Sequence, residues 1–298
     1  MRVFITGATG WVGSAVVHEL LGAGHTVLGL ARSDDKAAAL AATGAEVLRG
    51  TLDDLNALRI AVAEADAVIH TAFNHDFSKF VENCEQDQRA IGVLGSALEG
   101  SDRPLLVTAG VALLAPDRIT TEADVTSSDP SYPRRSEAAA AMLVERGVRA
   151  AVVRLPPSVH GLGEKGFVPI LIDIARRTGV AAYIDDGLNR WPAVHRLDAA
   201  RLYRLALDHG TTERTYHAIA EEGVAFKDIA VVIGRRLGLP VEPRSPDHFG
   251  WFSMFAGADV PASSAHTRAL LGWEPTGPGL LADIDQPGYF PGGGHSPE

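Results

Sequence analysis

The amino-acid sequence predicts an α/β protein with a doubly wound parallel sheet, and three features support this prediction. Short apolar runs alternate with longer segments of helical periodicity through the first half of the chain. The runs are apolar at successive positions, as is typical of strands buried on both faces. A glycine-rich turn directly follows the first run. Open parallel sheets bind ligands at the carboxyl ends of their strands, so we expect the functional residues at that edge.

Six strands are predicted in the first half, and helices connect them in right-handed crossovers. The strands are Val3–Thr6, Val27–Ala31, Glu46–Leu48, Ala67–Thr71, Leu105–Ala109 and Ala150–Leu155. The helices between them are Gly13–Leu21, Lys36–Ala42, Leu55–Ala63, Val81–Leu98 and Ser136–Glu145.

The second half has a different rhythm, which begins where Pro156 and Pro157 end the sixth strand. The pattern predicts one strand, Thr215–Ala220, and helices at Phe167–Arg177, Asp198–Leu207, Phe226–Leu237 and Ser264–Leu271. We therefore expect a first lobe of residues 1–158, to which 190–215 return. Residues 159–189 and 216–290 are expected to form a smaller lobe that completes a cleft, and 291–298 a flexible tail.

Composition excludes several classes of protein. The chain has 298 residues and a formal net charge of −10, which argues against nucleic-acid and anionic membrane surfaces as partners. No apolar run approaches the roughly 18 residues of a membrane span, and the N-terminus does not have the pattern of a signal peptide. The single cysteine, Cys84, cannot form an internal disulfide and is expected to be a small buried side chain, so we expect a cytoplasmic location.

The strongest chemical signal is the turn between Val3 and Ser14. Gly7 permits a tight turn, Gly10 permits backbone to approach a pyrophosphate, and Gly13 permits the helix to lie close to the sheet. Peptide N–H groups at the start of the helix would face the phosphates. The turn predicts a Rossmann-type dinucleotide site in the first lobe; the alternative is a glycine-rich turn without a ligand.

The end of the second strand indicates which cofactor is bound. An NAD site usually has Asp or Glu there, but this chain has Arg32 and Ser33, with no acid before Asp34. A guanidinium and a hydroxyl suit the 2′-phosphate of NADP. The alternative is that Arg32 is a solvated loop residue. After strand three, Leu52 and Asp53 are expected at the adenine edge.

These residues, with four later segments, resemble the extended and atypical branches of the short-chain dehydrogenase/reductase superfamily, of the NAD(P)-dependent epimerase/dehydratase type. The segments are Val68–Ala72, Arg154–Gly161, Val194–Ala200 and Leu271–Pro275, so the resemblance covers nearly the whole chain. It implies that the pyrophosphate is held by Thr9, Gly10, Trp11 and Val12. It also implies that Thr71, Ala72, Phe73 and Thr108 lie along the cofactor, with Leu155, Pro156 and Pro157 near the nicotinamide.

The catalytic pattern departs from this family. Relatives carry Ser or Thr after strand five and then Tyr-x-x-x-Lys, but here the first position falls on Ala109 or Gly110. Ser136, not lysine, stands four residues after Tyr132. Aligning on the next helix instead puts Pro133 at the tyrosine position and Glu137 at the lysine position. The family's asparagine in helix four corresponds to Asp87 here.

The remaining candidates for acid–base chemistry are Asp87, Tyr132, His160 and Asp76. Tyr132 is otherwise a loop residue that packs its ring, and Asp76 is otherwise a polar loop cap. His160 is expected on the cleft side beyond strand six. The apolar side chains between Pro246 and Pro261 either line a substrate pocket or pack the small lobe, namely Phe249, Trp251, Phe252, Met254 and Phe255. No cluster with metal-ligand spacing is present, so no metal is expected.

We therefore expect an NADP(H)-dependent oxidoreductase that acts on a small, fairly apolar carbonyl or imine. One alternative is a nucleotide-sugar epimerase or dehydratase, although no arginine cluster suggests a sugar diphosphate. Another is an NADP-binding redox sensor or scaffold without turnover. A small-molecule substrate is the expected partner, and the oligomeric state is open, with a homodimer as one option.

Overall fold

The computed structural model describes residues 1–111, 118–126 and 134–291, and its centre is a seven-stranded parallel sheet. The strand order is β10-β6-β5-β4-β1-β2-β3. This confirms the predicted α/β fold with a doubly wound sheet. The strands are β1 (Arg2–Thr6), β2 (Thr26–Ala31), β3 (Glu46–Arg49), β4 (Ala67–His70), β5 (Leu105–Gly110), β6 (Ala150–Leu155) and, after the three strands described below, β10 (Thr215–His217).

Helices cover both faces of this sheet, because the side chains of its strands point alternately to two cores. In β1, Val3 and Ile5 pack on one face against α1 and α7, whereas Phe4 packs on the other face against α3, α4 and α5. The helices are α1 (Trp11–Gly22), α2 (Asp34–Ala41), α3 (Leu55–Ala63), α4 (Phe80–Ser96), α5 (Ser136–Glu145) and, later in the chain, α7 (Arg196–Asp208). Cys84 is buried in α4.

The second half contains two small sheets and a third hydrophobic core. Strands β7 (Ser158–His160), β9 (Arg190–His195) and β11 (Glu221–Ala225) form one sheet, and β8 (Ala181–Tyr183) and β12 (Val241–Pro243) form the other. The helices that pack here are α6 (Phe167–Thr178), α8 (Phe226–Leu237), α9 (Ser253–Ala256) and α11 (Leu280–Ile284). Helix α10 (Ala265–Leu271) instead contacts α7 and packs against the core of the main sheet. Short 3₁₀ helices occupy Phe77–Lys79, Pro246–Phe252 and Pro287–Tyr289. None of the helices in the described ranges is long and apolar enough to cross a bilayer.

The two halves interlock more than the sequence indicated. The boundary expected at residue 216 falls inside β10, which pairs with β6 at the edge of the main sheet. Trp273, expected in the small lobe, is fully buried in the core of the main sheet. Asp198 on α7 fixes this connection, since its carboxylate accepts hydrogen bonds from the backbone N–H groups of Thr276 and Gly277 at 3.0 and 2.8 Å.

The apolar side chains between Pro246 and Pro261 are divided between two environments, the core and the surface. Phe249 and Phe252 are buried in the core of the second half, where Phe252 contacts Trp191 and Phe167. Core packing therefore accounts for Phe249 and Phe252, whereas Trp251 and Met254 are exposed and Phe255 is partly exposed.

Candidate active site

The glycine turn has the geometry that its spacing predicted. Gly7 has a positive φ of 71°, and a Cβ there would lie 2.6 Å from the backbone nitrogen of Ala72. A Cβ on Gly13 would overlap the carbonyl oxygen of Gly7. Gly10 differs, because its Cβ would meet only that same oxygen, at 3.1 Å, and the residue is exposed. Gly7 and Gly13 therefore close the turn, and Gly10 leaves one side of it open.

The open side of the turn suits an anion. Gly10 is the N-cap of α1 and offers no side-chain oxygen, and the first turn contains no acidic residue. The backbone N–H groups of Trp11, Val12 and Gly13 therefore lie at the positive end of the helix without a capping side chain. Thr9 precedes them and is partly exposed. These residues fit the diphosphate of a dinucleotide.

The residues expected around the adenosine lie at the ends of β2 and β3. Arg32 and Ser33 are exposed, and Lys36 lines an open hollow of about 340 Å³ that also contacts Thr9. Leu52 is partly buried, and Asp53 accepts a hydrogen bond from Gln86 at 2.6 Å. Three basic groups therefore surround the end of β2, because Arg49 also donates to the carbonyl oxygen of Ala31 at 3.2 Å.

Two expected cofactor residues use their hydroxyl groups inside the protein. The Thr71 hydroxyl donates to the carbonyl oxygen of Thr6 at 2.8 Å, and the Thr108 hydroxyl is hydrogen bonded to the Tyr203 hydroxyl at 2.7 Å. Neither hydroxyl is directed to a ligand in this arrangement. The other expected positions at this edge are partly exposed, apart from buried Pro156: Ala72, Phe73, Leu155 and Pro157.

A chain of buried hydrogen bonds runs behind this edge. His70 at the end of β4 is joined through Nδ1 to the Thr6 hydroxyl at 2.7 Å and through Nε2 to Asp87 Oδ1 at 3.0 Å. Ser136, at the start of α5, donates to Asp87 Oδ2 at 2.5 Å. Burial acts to raise the pKa of Asp87, but hydrogen bonding and charge from His70, with Arg134 and Ser136, bring it below the ordinary value. Asp87 is therefore the shared hydrogen-bond acceptor of His70 and Ser136 in this cluster.

This chain of hydrogen bonds ends in Arg134, at the cleft. Its Nε donates to the Ser136 hydroxyl at 2.8 Å and its Nη2 to the carbonyl oxygen of Thr108 at 3.4 Å. The guanidinium carbon lies 3.8 Å from the centre of the Phe73 ring. Nη1 makes no hydrogen bond to any residue in the described ranges. Ser136, Thr108 and Phe73 therefore hold the guanidinium of Arg134 at the carboxyl ends of β4 and β5.

Glu137, which stands at the position of the family's lysine, has a structural role in this chain. Glu137 accepts two hydrogen bonds from Arg154 on β6, at 2.9 and 2.7 Å. Arg154 is 1% exposed and also donates to the carbonyl oxygen of Asp124 at 2.7 Å. This ion pair fixes α5 to the sheet, so Glu137 is not available to a ligand.

Two candidate proton donors do not have the environment that we expected. Asp76 caps the short helix after β4 by accepting from the Ser78 backbone N–H and hydroxyl. His160 is 0% exposed rather than on the cleft surface, and it donates from Nδ1 to Asp283 at 2.8 Å. Tyr132 lies outside the described residues.

Sequence reasoning missed Arg134, Ser136 as its partner, and His70. The available signal was a pair of arginines, Arg134 and Arg135, directly before the helix that should carry the lysine. Among the described residues, no group of three or more His, Cys, Asp or Glu side chains is placed to hold a metal ion.

The sheet order and the turn define an α/β protein with a Rossmann-type nucleotide-binding turn. The model of the NAD dependent epimerase/dehydratase family matches residues 3–98. The uncharacterized protein C2A9.02 of Schizosaccharomyces pombe is 46% identical and covers 97% of this chain and 100% of its own. The chain belongs to the NAD-dependent epimerase/dehydratase family, whose members use nicotinamide cofactors.

Two further relatives are more distant. The 4-hydroxy-2-methyl-3-oxo-4-farnesyl-3,4-dihydroquinoline-1-oxide ketoreductase of Stigmatella aurantiaca is 24% identical over 88% of this chain and 84% of its own. The structure of DesIV, a dTDP-glucose 4,6-dehydratase from Streptomyces venezuelae with NAD bound, has a TM-score of 0.76. It is 17% identical over 97% of both chains, so it shows the shared fold.

Proposed function

We propose that the protein is an NADP(H)-dependent oxidoreductase that acts on a small, fairly apolar carbonyl compound. The observation that carries the proposal is the guanidinium of Arg134, held on Phe73 beside the carboxyl ends of β4 and β5. The distant ketoreductase supports the same class of reaction. A bound nicotinamide would supply or accept the hydride.

Arg134 has the properties of a group that stabilises charge on a substrate oxygen. Phe73, Ser136 and Thr108 fix the guanidinium plane, so little reorganisation is needed when negative charge develops. Nη1 is the nitrogen that would donate to the carbonyl oxygen. A guanidinium keeps its protons near neutral pH, so the product alkoxide would take its proton from water.

The charge of Arg134 favours a carbonyl over an imine. Reduction of a carbonyl creates an anionic oxygen, which a cation stabilises, whereas a protonated imine is itself a cation and would be repelled. We therefore retain the carbonyl from the two substrate classes that the sequence allowed.

NADP is the proposed cofactor because basic groups surround the end of β2. Arg32 is exposed there, and Lys36 lines the hollow next to Thr9. Arg32→Ala should weaken NADP binding by roughly 1.5–3 kcal/mol while NAD binding changes little. Calorimetry with both cofactors tests this, and an equal loss for both would show that Arg32 does not bind the 2′-phosphate.

The reaction is tested with NADPH and a panel of ketones, aldehydes and cyclic imines. On the substrate so found, Arg134→Met should lower kcat by roughly 10²–10³-fold, the usual effect of removing one donor to an oxyanion. Arg135→Met is the matched control, because Arg135 is the adjacent and exposed arginine. Equal activity of the two variants would contradict the role of Arg134, and faster turnover of imines than of ketones would contradict the carbonyl assignment.

An epimerase or dehydratase is the second candidate, since the fold matches that of an NAD-bound sugar-nucleotide dehydratase. Conversion of a nucleotide sugar without net change in NADP(H) would favour it. Tight NADP binding with no turnover of the carbonyl and imine panel or of nucleotide sugars would favour a redox sensor.

A further inference from the structure

Arg196 is a second arginine that contacts the glycine turn. It is the first residue of α7, which packs along α1. Its guanidinium carbon lies 4.0 Å from the centre of the Trp11 ring, and Nη2 donates to the Ser14 hydroxyl at 3.1 Å. Arg196 therefore meets the first turn of α1, next to the uncapped N–H groups.

The charge of Arg196 is not compensated within the described part of the chain. No carboxylate there pairs with it, and its Nε is buried without an acceptor. Burial lowers the pKa of Arg196, and no neighbouring acid opposes that effect. A partly buried guanidinium without a counter-ion costs free energy, which a bound anion would recover.

Arg204 on the same helix is an arginine with a structural role in the contact between α7 and α1. Its Nε donates to Glu19 of α1 at 2.7 Å, and its Nη1 to Asp208 at 2.8 Å. Both arginines contact α1, but the partner of Arg196 is the hydroxyl of Ser14, whereas the partner of Arg204 is the carboxylate of Glu19. An acid at position 14 would neutralise Arg196 but would also repel a phosphate at the start of α1.

We propose that Arg196 binds the diphosphate of the nucleotide held at the glycine turn, together with the N–H groups of Trp11 and Val12. The donors are the N–H groups of the guanidinium that Ser14 does not engage. Stacking on Trp11 fixes the side chain before the ligand arrives, which reduces the entropy lost on binding. This inference rests on the nucleotide-binding part of the proposed function but does not depend on turnover.

The test is calorimetric binding of two ligands that lack nicotinamide. ADP-ribose contains the diphosphate, whereas adenosine 2′-monophosphate does not. Arg196→Met keeps most of the apolar stem over Trp11 and should weaken ADP-ribose about 10- to 100-fold, with adenosine 2′-monophosphate changed less than about twofold. Arg204→Met, the matched control from the same helix contact, should leave both ligands within about twofold. Arg196→Lys should recover part of the loss, because it restores the charge without the planar fork.

The outcomes separate this inference from the proposed function. If the unaltered protein binds ADP-ribose and Arg196→Met binds it equally well, Arg196 does not contact the diphosphate. An equal loss for both ligands also overturns the inference, since it would indicate a general disturbance of the site. Failure of the unaltered protein to bind any adenine nucleotide would instead defeat the nucleotide-binding part of the proposed function. Thermal unfolding of each variant shows whether it is folded. If Arg196→Met does not fold, the binding of ADP-ribose by Arg196→Lys tests the inference instead.

Discussion

Two buried polar clusters of this protein differ in one respect that decides their chemistry. The Asp87 cluster consists of Thr6, His70, Asp87, Ser136 and Arg134, and it reaches the cleft through Arg134. The Asp283 cluster consists of His160, Glu164, Asp283 and Tyr289 and is closed: Asp283 accepts from His160 at 2.8 Å and from the Tyr289 hydroxyl at 2.6 Å. His160 Nε2 and Glu164 Oε2 are buried and have no partner among the described residues.

The difference lies in the groups that face each acid. The hydrogen bond and charge of His70, and then the charge of Arg134 at 4.0 Å, lower the pKa of Asp87 despite its burial. Glu164 has no such neighbour: burial first, and the charge of Asp283 in addition, raise its pKa from 4.5 to about 8. A compensated buried carboxylate can orient other groups, whereas an uncompensated one stays protonated and its ionisation opposes folding. Both clusters contain His and acidic residues, so residue type alone does not distinguish them.

The largest expected effect comes from removing the central acid of the Asp87 cluster. Asp87→Ala would leave His70 and Ser136 without their shared acceptor and would remove the carboxylate that lies 4.0 Å from Arg134, and we expect a loss of about 3–5 kcal/mol in the free energy of unfolding. Urea denaturation at pH 7 measures it. Asp76→Ala, which removes only an exposed cap, should cost about 1 kcal/mol. Similar losses for the two variants would contradict the role of Asp87 as the acceptor that holds its cluster together.

The second prediction is a gain in the free energy of unfolding, where the first was a loss. Because the folded-state pKa of Glu164 is raised to about 8 from 4.5, its contribution to stability is fully present below pH 4.5 and is lost as the pH rises through 8. Glu164→Gln imitates the protonated acid, so it should be more stable than the unaltered protein at pH 8 by on the order of 3 kcal/mol. The difference should vanish near pH 4.5. Denaturation at both pH values tests this, and a variant that is less stable at pH 8 would contradict it.

The smallest expected effect concerns His160, which we first considered as a proton donor. His160→Asn removes a donor to Asp283 and should cost about 1–3 kcal/mol of stability. The kcat/KM for the carbonyl substrate should change less than about threefold, because the side chain is fully buried. A loss of a hundredfold or more in kcat/KM with normal NADP affinity would return His160 to the active site and show that the Asp283 cluster opens to the cleft.

Long elements with strong periodicity could be predicted from the sequence, and short ones could not. The helices Leu55–Ala63, Ser136–Glu145 and Phe226–Leu237 have the bounds that the pattern predicted. The three-residue strands Ser158–His160 and Ala181–Tyr183 are too short for an alternation to be recognised, and they exist because neighbouring strands complete their hydrogen bonds.

What the sequence determined by itself is the geometry of the glycine turn. Gly7 must adopt a positive φ and Gly13 must admit the carbonyl oxygen of Gly7, and each requirement is met within a few residues of chain. Only tertiary structure decided the contacts of Arg134, Glu137 and Arg196. Most of their partners stand far away in the sequence, as Phe73 and Thr108 do from Arg134, Arg154 from Glu137 and Ser14 from Arg196. Whether a charged side chain binds a ligand or another residue depends on what the fold places within hydrogen-bond distance, and local sequence does not contain that information.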